Sequence, residues 1–516
     1  MKTNTLVLIT LALLVTAGCA TTTVAPVERP AAQAAMEPAA EGPLAEMEAK
    51  IVAGHGPDVS GFHLLDSNED GLRWRLNLID SATRSIDLQY YLWYGDAAGK
   101  IMTKHVVDAA NRGVRVRIIV DDINTMFSDA ATIMHRDSRA AILDAHPNIE
   151  LRLFNPWKNR EIAGRIGEML GDLERLNVRM HNKALVVDNR AAIMGGRNIG
   201  DDYMGLHHDF NFHDLDVLGI GPVARQASAV FDSFWNSAWV LPVAALQIET
   251  TQAERDALRD TILAELASLD SLQRFPLEPQ DTAGALWALF PGLHFGTSQV
   301  YSDVPTDEGL QHRMIEVFYE LVSVARQELL ITNAYIIPAE RGIATMQTLS
   351  DRGVAIRVLT NSLASHDVPA VNSHYKKWRK PLLESGVKLY EMRQDAAIQS
   401  EVADTPPTRA GFMGLHVKAF VVDRQRAYIG SMNLDPRSVN INSEMGVVIE
   451  SPALAEALAR LMERDMRPEN AWNVQFGPDG KVRWVSGDQV LTRQPARDQW
   501  QRIQDVFFML FPSDQY

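Results

Sequence analysis

Short apolar runs rich in β-branched residues alternate with longer stretches at helical spacing along most of the chain. The run 85–91 leads through a helical stretch into the run 111–122, which contains an Arg-Gly-Val turn. The run 328–335 leads in the same way into 351–360, again through Arg-Gly-Val. Buried strands that alternate with helices are typical of parallel or mixed sheets. The pattern predicts an α/β protein in which one strand–helix–strand unit occurs twice.

A third block of sequence repeats as well, at residues 180–198 and 415–433. We therefore predict two α/β/α domains with mixed sheets, related by a pseudo-twofold axis, with a site at their interface. The predicted boundaries are 51–245 for the first half, 246–285 for a connecting helix, 286–470 for the second half and 471–516 for a C-terminal hairpin and amphipathic tail. The tail has aromatic residues near helical spacing, and its helix either docks on the protein or lies on a membrane surface.

The N-terminus has the pattern of an export signal. A basic residue, Lys2, precedes an apolar run at 6–15 and small residues at 16–18. This predicts a signal peptide over 1–18, because the run is too short to span a bilayer. The small residues before Cys19, the single cysteine, resemble a bacterial lipobox, although Thr16 stands where Leu is commoner. The alternative is a plain signal peptide with an incidental cysteine.

The lipobox resemblance implies that Cys19 becomes a lipidated N-terminus. Ala20 follows it, and by resemblance to Gram-negative lipoproteins this implies a place on the periplasmic side, at the outer membrane. Residues 19–50 are rich in Ala, Pro, Thr and Glu in their first part. We expect them to form a flexible tether, because they offer few large apolar groups for packing.

Composition narrows the classes of function. The 516 residues are 46% hydrophobic and 22% charged, which allows sizeable cores. The formal net charge is -15, which repels polyphosphate chains and disfavours a sequence-tolerant nucleic-acid binder. No nucleic-acid partner is therefore expected.

The repeated third block carries the candidate chemistry. In each copy a His-x-Lys pair lies on a predicted strand, so both side chains point to the same face. An apolar run of four residues follows the lysine, an aspartate comes directly after that run, and a Gly-Gly-x-Asn or Gly-Ser-x-Asn segment ends the block. The residues are His181, Lys183, Asp188 and Asn198 in the first copy, and His416, Lys418, Asp423 and Asn433 in the second.

Two such faces brought together place two imidazoles, two ammonium groups and two amides around one pocket. This set suits a phosphate diester: one imidazole attacks phosphorus and the other protonates the leaving oxygen. The lysines and asparagines then stabilise the equatorial oxygens. No metal and no cofactor are predicted, because His207, His208 and His213 lack accompanying Cys or carboxylate ligands at metal-site spacing.

The duplicated His/Lys/Asp motif resembles the signature of the phospholipase D superfamily. The segments 87–93, 197–201, 360–364 and 433–438 resemble its bacterial cardiolipin synthase branch, most of all the cardiolipin synthase C group. The resemblance implies transfer of a phosphatidyl group, through a phosphohistidine, to the headgroup alcohol of another phospholipid. The implied partners are phosphatidylglycerol, with phosphatidylethanolamine as a further candidate, and a membrane surface.

The same resemblance implies residue roles. His181 would be the nucleophile and His416 the general acid and base. Asp214 and Glu444 would orient the imidazoles across the pseudo-twofold axis, Glu444 with His181 and Asp214 with His416. The resemblance implies that the phosphate is bound by Lys183, Lys418, Asn198 and Asn433. Asp188 and Asp423 are expected to be structural, because each closes a buried run.

Two further stretches are weaker candidates. Tyr375, Lys377, Trp378 and Arg379 form a basic and aromatic run suited to lipid headgroups, or else a solvated helix face. The basic and apolar stretch 158–179 is either a lipid-facing lip or an exposed amphipathic helix.

Three functions stay open on the sequence: phosphatidyl transfer, hydrolysis by a phospholipase D or another phosphodiesterase, and a silent lipid-binding scaffold. The complete duplicated motif argues against a scaffold, and the net charge argues against a nuclease. The preference for transfer rests on the resemblance alone, because water access decides between transfer and hydrolysis.

Overall fold

A computed structural model describes residues 30–122, 130–158, 160, 162–246, 248–278 and 280–510. The predicted signal peptide (1–18) and Cys19 lie outside these residues. In the part of the chain that is described, no helix is both long and apolar enough to cross a membrane.

The first half alternates helices and strands in the way the sequence predicts. The helices are α1 (Pro43–His55), α2 (Asn68–Ser81), α3 (Ala97–Asn111), α4 (Ala130–Asp144), α5 (Ile162–Gly171), α6 (Leu173–Asn177) and α7 (Pro222–Trp235). The strands are β1 (Ser60–Leu65), β2 (Ser85–Tyr90), β3 (Arg115–Asp121), β4 (Ile149–Phe154), β5 (Ala184–Val187), β6 (Ala191–Gly195), β7 (Phe210–His213), β8 (Asp216–Ile220) and β9 (Val240–Pro242).

Two helices lead into the second half: α8 (Gln252–Ser268) and α9 (Thr282–Leu289). The helices that follow are α10 (Met314–Ser323), α11 (Ala339–Asp351), α12 (Pro369–Tyr375), α13 (Arg379–Glu384), α14 (Gln399–Val402), α15 (Pro436–Asn440), α16 (Pro452–Asp465) and α17 (Gln499–Phe507). The strands are β10 (His294–Ser302), β11 (Val304–Thr306), β12 (Gly309–Gln311), β13 (Glu328–Asn333), β14 (Ala355–Asn361), β15 (Lys388–Met392), β16 (Phe412–Leu415), β17 (Lys418–Val422), β18 (Arg426–Gly430), β19 (Met445–Glu450), β20 (Ala471–Phe476), β21 (Val482–Ser486) and β22 (Gln489–Leu491).

The two halves have the same sheet order. In the first half the order is β9-β4-β3-β2-β5-β6-β8-β1, with β2, β3 and β4 parallel and the other neighbours antiparallel. In the second half, written from the matching edge, it is β20-β15-β14-β13-β17-β18-β19-β10, with β13, β14 and β15 parallel. Strands β21 and β22 extend this sheet beyond β20. The duplication predicted from the sequence is therefore a duplication of topology, and the α/β fold class is confirmed.

The halves meet edge to edge at the centre of the molecule. Strands β1 and β10 pair antiparallel, with Gly61 opposite Phe295, and they join the halves into one sheet of 18 strands within the described residues. An apolar cluster next to this junction includes Phe62 and Val217 from the first half and Val447 from the second. Because this cluster is shared, it fixes the position of one half relative to the other.

The predicted tether, 19–50, is wrong from Gln33 onward, because the N–H of Gln33 donates to Oδ1 of Asn236 at 2.9 Å and that of Ala35 to Oδ2 of Asp232 at 2.7 Å. The backbone N–H of Ala39 donates to the Asp188 carbonyl oxygen at 3.0 Å, and α1 begins at Pro43 within the predicted tether. Leu44, Met47 and Ile51 are buried against the first half. Their spacing puts all three on one face of a helix, a pattern that the Ala- and Pro-rich residues before it obscure.

The predicted connecting helix corresponds to α8, which begins with a reciprocal cap between Thr251 and Glu254. The predicted hairpin corresponds to β20 and β21, joined through the turn at 477–480. Strand β20 also pairs with β15. The hairpin therefore extends the sheet of the second half.

Candidate functional site

Both His-x-Lys pairs lie at the carboxyl ends of the parallel strands. In the first half, β5 runs antiparallel to β2, with Ala184 opposite Gln89 near the end of β2. In the second half, β17 runs antiparallel to β13, with Lys418 opposite Asn333, the last residue of β13. Ligand sites of α/β sheets occur at this edge.

Two backbone pairings between the halves complete the site. A parallel bridge joins Met180 to Ser443, and the N–H of His181 donates to the Ser443 carbonyl oxygen at 2.9 Å. In the matching place, β7 pairs in parallel with β16, and the N–H of His416 donates to the His213 carbonyl oxygen at 2.7 Å. The residue after each of these acceptors is a carboxylate, so each histidine meets a carboxylate of the opposite half.

Glu444 orients the imidazole of His181. Oε2 of Glu444 lies 2.9 Å from Nδ1 of His181. The Ser431 hydroxyl accepts the Met445 N–H at 3.0 Å and donates to the same Oε2. In the tautomer whose Nδ1–H donates to this oxygen, Nε2 of His181 carries the lone pair and is the nitrogen free to react.

Asp214 orients the imidazole of His416 in the same way. Oδ2 of Asp214 lies 2.6 Å from Nδ1 of His416, and Oδ1 accepts the N–H of Leu215. The carboxylate lies against the backbone of Gly196, where a Cβ atom would stand 2.2 Å from Oδ1. The glycine is therefore required by this close approach.

The two pairs differ in electrostatics. Burial lowers the pKa of His181 well below its usual value, and Lys183 and Lys418 lower it further. Burial raises the pKa of its partner Glu444 well above the usual range. Burial also lowers the pKa of His416, but there Asp214 opposes the shift. Although burial alone would raise it, the pKa of Asp214 is lowered by His416 and Lys418. His181 is thus the imidazole that stays neutral most readily, and His416 is the one paired with an ionised carboxylate.

Each lysine side chain contacts the backbone of the histidine in its own motif. Nζ of Lys183 donates to the His181 carbonyl oxygen at 2.7 Å, and Nζ of Lys418 donates to that of His416. Burial lowers the pKa of Lys183 well below its usual value and that of Lys418 to about 8, while Glu444 and Asp214 raise them. Both lysine side chains are thus buried, and each donates to the backbone of the histidine in its own motif.

The two asparagines lie beside the same centre, and both are buried. Oδ1 of Asn198 accepts the N–H of Leu92 at 3.2 Å. This contact orients the amide group of the side chain. Oδ1 of Asn433 has no hydrogen-bond partner within the described residues.

Aromatic rings form walls that the sequence analysis did not assign to the site. The ring of Tyr91 contacts His181 edge to face at 5.0 Å, and Nζ of Lys183 lies 5.2 Å from its centroid. Tyr203 and Tyr335 contact His416 at 5.3 and 6.3 Å. The Tyr335 hydroxyl donates to Asp367 at 2.7 Å. Tyr91 and Tyr335 each end one of the repeated strand runs, and this shared position was the sequence signal that could have assigned them to the site.

Asp188 and Asp423 lie away from the reacting centre, at equivalent turns. Each carboxylate accepts three consecutive backbone N–H groups at the start of a neighbouring strand. Both residues also have positive φ, 55° and 51°, where aspartate is tolerated. The donors are Thr83, Arg84 and Ser85 for the first carboxylate, and Arg326, Gln327 and Glu328 for the second.

The proposed headgroup role of Tyr375 and Arg379 is corrected by the structure. Both are buried, and both donate to the carboxylate of Glu391, which also accepts the indole N–H of Trp484 at 2.7 Å. Their donors are used inside the second half, so they hold that half together. Lys377 remains exposed and Trp378 is half-buried.

The three clustered histidines are separated by the fold. His207 and His208 are exposed, whereas the buried His213 has its Nε2 atom 2.8 Å from Oδ2 of Asp465. Among the described residues, no group of three or more His, Cys, Asp or Glu side chains is arranged to hold a metal ion.

The repeated α/β fold brings two crossed histidine–carboxylate pairs into one site, an arrangement suited to an enzyme that acts on phosphate diesters. The family model for the cardiolipin synthase, phospholipase D-like domain matches residues 76–235 and 318–466. Cardiolipin synthase C of Escherichia coli is 33% identical over 470 residues, covering 89% of this chain and 96% of that protein. Cardiolipin synthase A of Proteus mirabilis is 24% identical, covering 81% of this chain and 71% of that protein. The crystal structure of a phosphatidylserine synthase of Haemophilus influenzae has the same fold, with a TM-score of 0.56 at 14% identity, covering 91% of this chain and 97% of that one.

The chain therefore belongs to the phospholipase D superfamily, in its cardiolipin synthase branch. It is an enzyme of the phosphatidyltransferase and phosphodiesterase class of that superfamily. The resemblance inferred from the duplicated motif is confirmed.

Proposed function

We propose that this protein transfers a phosphatidyl group from one phospholipid to the headgroup alcohol of another, in the manner of a cardiolipin synthase. The observation that carries the proposal is the crossed arrangement of two histidine–carboxylate pairs in one buried site. The names of the relatives support the choice of phospholipids as substrates.

The first step uses His181 as the nucleophile. Its Nε2 atom attacks phosphorus, the bond from phosphorus to the oxygen of the leaving alcohol breaks, and a phosphatidyl-histidine forms. His416 gives a proton to the leaving oxygen. This division of roles follows the electrostatics, because a nucleophile must be neutral and an acid needs an ionised carboxylate behind it.

The second step reverses the first with a new alcohol. The incoming hydroxyl gives its proton to His416 and attacks phosphorus, and the phosphorus–nitrogen bond to His181 breaks. Lys183, Lys418 and the two asparagines are placed to stabilise the charge on the non-bridging oxygens in both steps. Water in place of the alcohol would give hydrolysis on the same scaffold.

We further propose phosphatidylglycerol as a substrate, with phosphatidylethanolamine as a second one. The cellular place that we propose is the periplasmic side of the outer membrane, with the signal peptide removed and Cys19 lipidated. The N-terminal sequence supports this placement, through its apolar run and its lipobox-like residues.

The test is thin-layer analysis of lipids after the purified protein is incubated with phosphatidylglycerol vesicles, with and without phosphatidylethanolamine. Cardiolipin formation that is lost in His181→Ala and His416→Ala, but kept in the exposed control His208→Ala, is the expected result. Phosphatidic acid alone would make the protein a hydrolase. Full activity in either site variant would contradict the two-histidine mechanism.

A further inference from the structure

The C-terminal helix α17 is attached to the protein through its polar side. Gln501 and Asp505 are buried: Nε2 of Gln501 donates to the Leu363 carbonyl oxygen, and Asp505 accepts from Nζ of Lys376 at 2.7 Å. Asp498 caps the helix start. The usual amphipathic arrangement, with apolar side chains inward, is thus reversed.

The outward side of this helix and of the turn after it is apolar. Trp500 is 64% exposed, Ile503 57% and Leu510 82%. We call this surface the C-terminal apolar face; it consists of Trp500, Ile503, Val506, Met509 and Leu510. Large apolar side chains exposed together on one helix face indicate contact with an apolar partner.

The C-terminal apolar face lies at the same edge as the catalytic centre. Arg497, just before α17, donates to the carbonyl oxygen of Ala364 at 2.7 Å. Ala364 belongs to the segment that follows the carboxyl end of β14 and leads to Asp367, the partner of Tyr335 beside His416. The helix is therefore positioned next to the site.

A second exposed apolar stripe lies at this edge in the first half. Ile166, Leu170 and Leu173, on α5 and α6, are more than half exposed and follow helical spacing. These helices come after the carboxyl end of β4, and α6 ends at Asn177, four residues before His181. One exposed apolar surface therefore lies near His416 and another near His181.

Cationic side chains lie beside the C-terminal apolar face. Arg502 is on α17 itself, and Lys377 and Lys380 are exposed just after α12, against which α17 packs. Lys380 also pairs with Glu384 at 3.5 Å, so Arg502 and Lys377 supply most of the positive charge here, in a chain with a net charge of -15. Apolar residues flanked by cations match the interface of an anionic lipid bilayer.

We propose that the C-terminal apolar face inserts into the surface of an anionic phospholipid bilayer and holds the sheet edge that carries the two histidines against it. The proposal rests on the proposed function, since a membrane phospholipid is the substrate. Helix α17 then lies on a membrane surface, which is one of the two alternatives that the sequence left open. Its polar side at the same time docks it on the protein. The stripe on α5 and α6 supplies a second contact.

The chain contains one cysteine, which permits a site-specific probe. In full chains carrying Cys19→Ser, an environment-sensitive dye such as NBD is attached at Ile503→Cys or, as the control, at Arg460→Cys. Arg460 is an exposed position on α16. With vesicles of phosphatidylglycerol and phosphatidylethanolamine, we expect a blue shift and quenching by doxyl-labelled lipid at position 503 only.

The other outcomes overturn the proposal. A dye at 503 that still reports water while the protein floats with vesicles would show that another surface makes the contact. A dye already shielded before vesicles are added would place a second copy of the chain, or residues 511–516, on this face. Both readings are independent of lipid turnover, so they are distinguishable from a failure of the proposed function.

A functional test uses Trp500→Ala/Ile503→Ser/Leu510→Ser against the control Val324→Ser/Val490→Ser, which changes exposed apolar residues elsewhere. Vesicle lipid turnover should fall at least about ten-fold in the triple variant only. Cleavage of the water-soluble diester bis(p-nitrophenyl) phosphate should be unchanged in both. Equal loss on the soluble diester would mean damage to the site or fold, and unchanged vesicle turnover would exclude the membrane contact.

Discussion

Nδ1 of His181 lies 2.9 Å from Oε2 of Glu444, a residue 263 positions later in the chain and in the opposite half. The contact follows from the backbone bridge between Met180 and Ser443, which places the two segments side by side. The pair between His416 and Asp214 repeats the arrangement in reverse. Neither half therefore contains a complete histidine site.

The first prediction concerns this carboxylate. Glu444→Gln keeps the size of the side chain but allows its amide to donate toward His181, which would favour the wrong imidazole tautomer. We expect kcat to fall about 100-fold or more with KM little changed. The measurement is lipid turnover on vesicles, with Glu450→Gln at the exposed end of β19 as the control. A variant with normal kcat would remove Glu444 from the orienting role.

Part of this site could be predicted from the sequence. The motif spacing predicted His181 and Lys183 on one face of a strand, whereas both lie just before β5, which begins at Ala184. The duplication implied a second pair in the same site. The crossing of Glu444 to His181 came from the family resemblance, because periodicity does not encode the bridge between Met180 and Ser443. Tyr335 and Asp367 were missed for the same reason, as their meeting depends on loops after β13 and β14.

Burial was harder to predict than topology. The run 375–380 looks like a solvated basic helix, but Glu391, on the distant strand β15, draws Tyr375 and Arg379 inward. Because of this one buried carboxylate, Tyr375 and Arg379 stabilise the second half and are not available to bind lipid headgroups. In α1 the error is the reverse, because a packed helix was predicted to be a flexible tether. Its three apolar residues at helical spacing were hidden by polar neighbours.

The second prediction tests the turn aspartates. Asp188→Asn and Asp423→Asn each weaken a carboxylate that accepts three backbone N–H groups. We expect each to lower the free energy of unfolding by about 1–3 kcal/mol, measured by thermal or urea denaturation. Turnover per folded molecule should remain near normal. A large loss of kcat without loss of stability would instead give these residues a direct role.

The third prediction separates the two kinds of residue in the former headgroup stretch. Arg379→Met leaves the buried Glu391 without its cation and should destabilise the protein by about 3–5 kcal/mol. Lys377→Met, a matched change at an exposed position, should leave the melting temperature unchanged. Calorimetry on both variants makes the comparison. Equal stability of the two would contradict the buried ion-pair cluster.

The fourth prediction concerns pH. Burial brings the pKa of Lys418 to about 8, so its positive charge is present below that pH and is lost as pH rises through it. Dimethyl phosphate keeps one negative charge over this range, and its inhibition constant should rise by roughly ten-fold or more between about pH 7 and about pH 9. In Lys418→Arg the cation persists, and the rise should be smaller. Identical profiles would place the titration on another group.

The last prediction uses the asymmetry between Gly196 and Ser431, which occupy the same position in the two motifs. Ser431 donates its hydroxyl to the longer Glu444, whereas Gly196 leaves room for the shorter Asp214, whose Oδ1 atom would stand 2.2 Å from an added Cβ. Gly196→Ala should therefore displace Asp214 and lower kcat by about 10-fold to 100-fold.

The control is Gly292→Ala, where an added Cβ meets nothing within 4 Å. Both variants are compared by lipid turnover, and Gly196→Ala is also combined with Asp214→Asn. If the glycine acts only through the carboxylate, the double variant should be no slower than Asp214→Asn alone, because the two changes remove the same interaction. Fully additive losses would mean that Gly196 contributes to the site by another route.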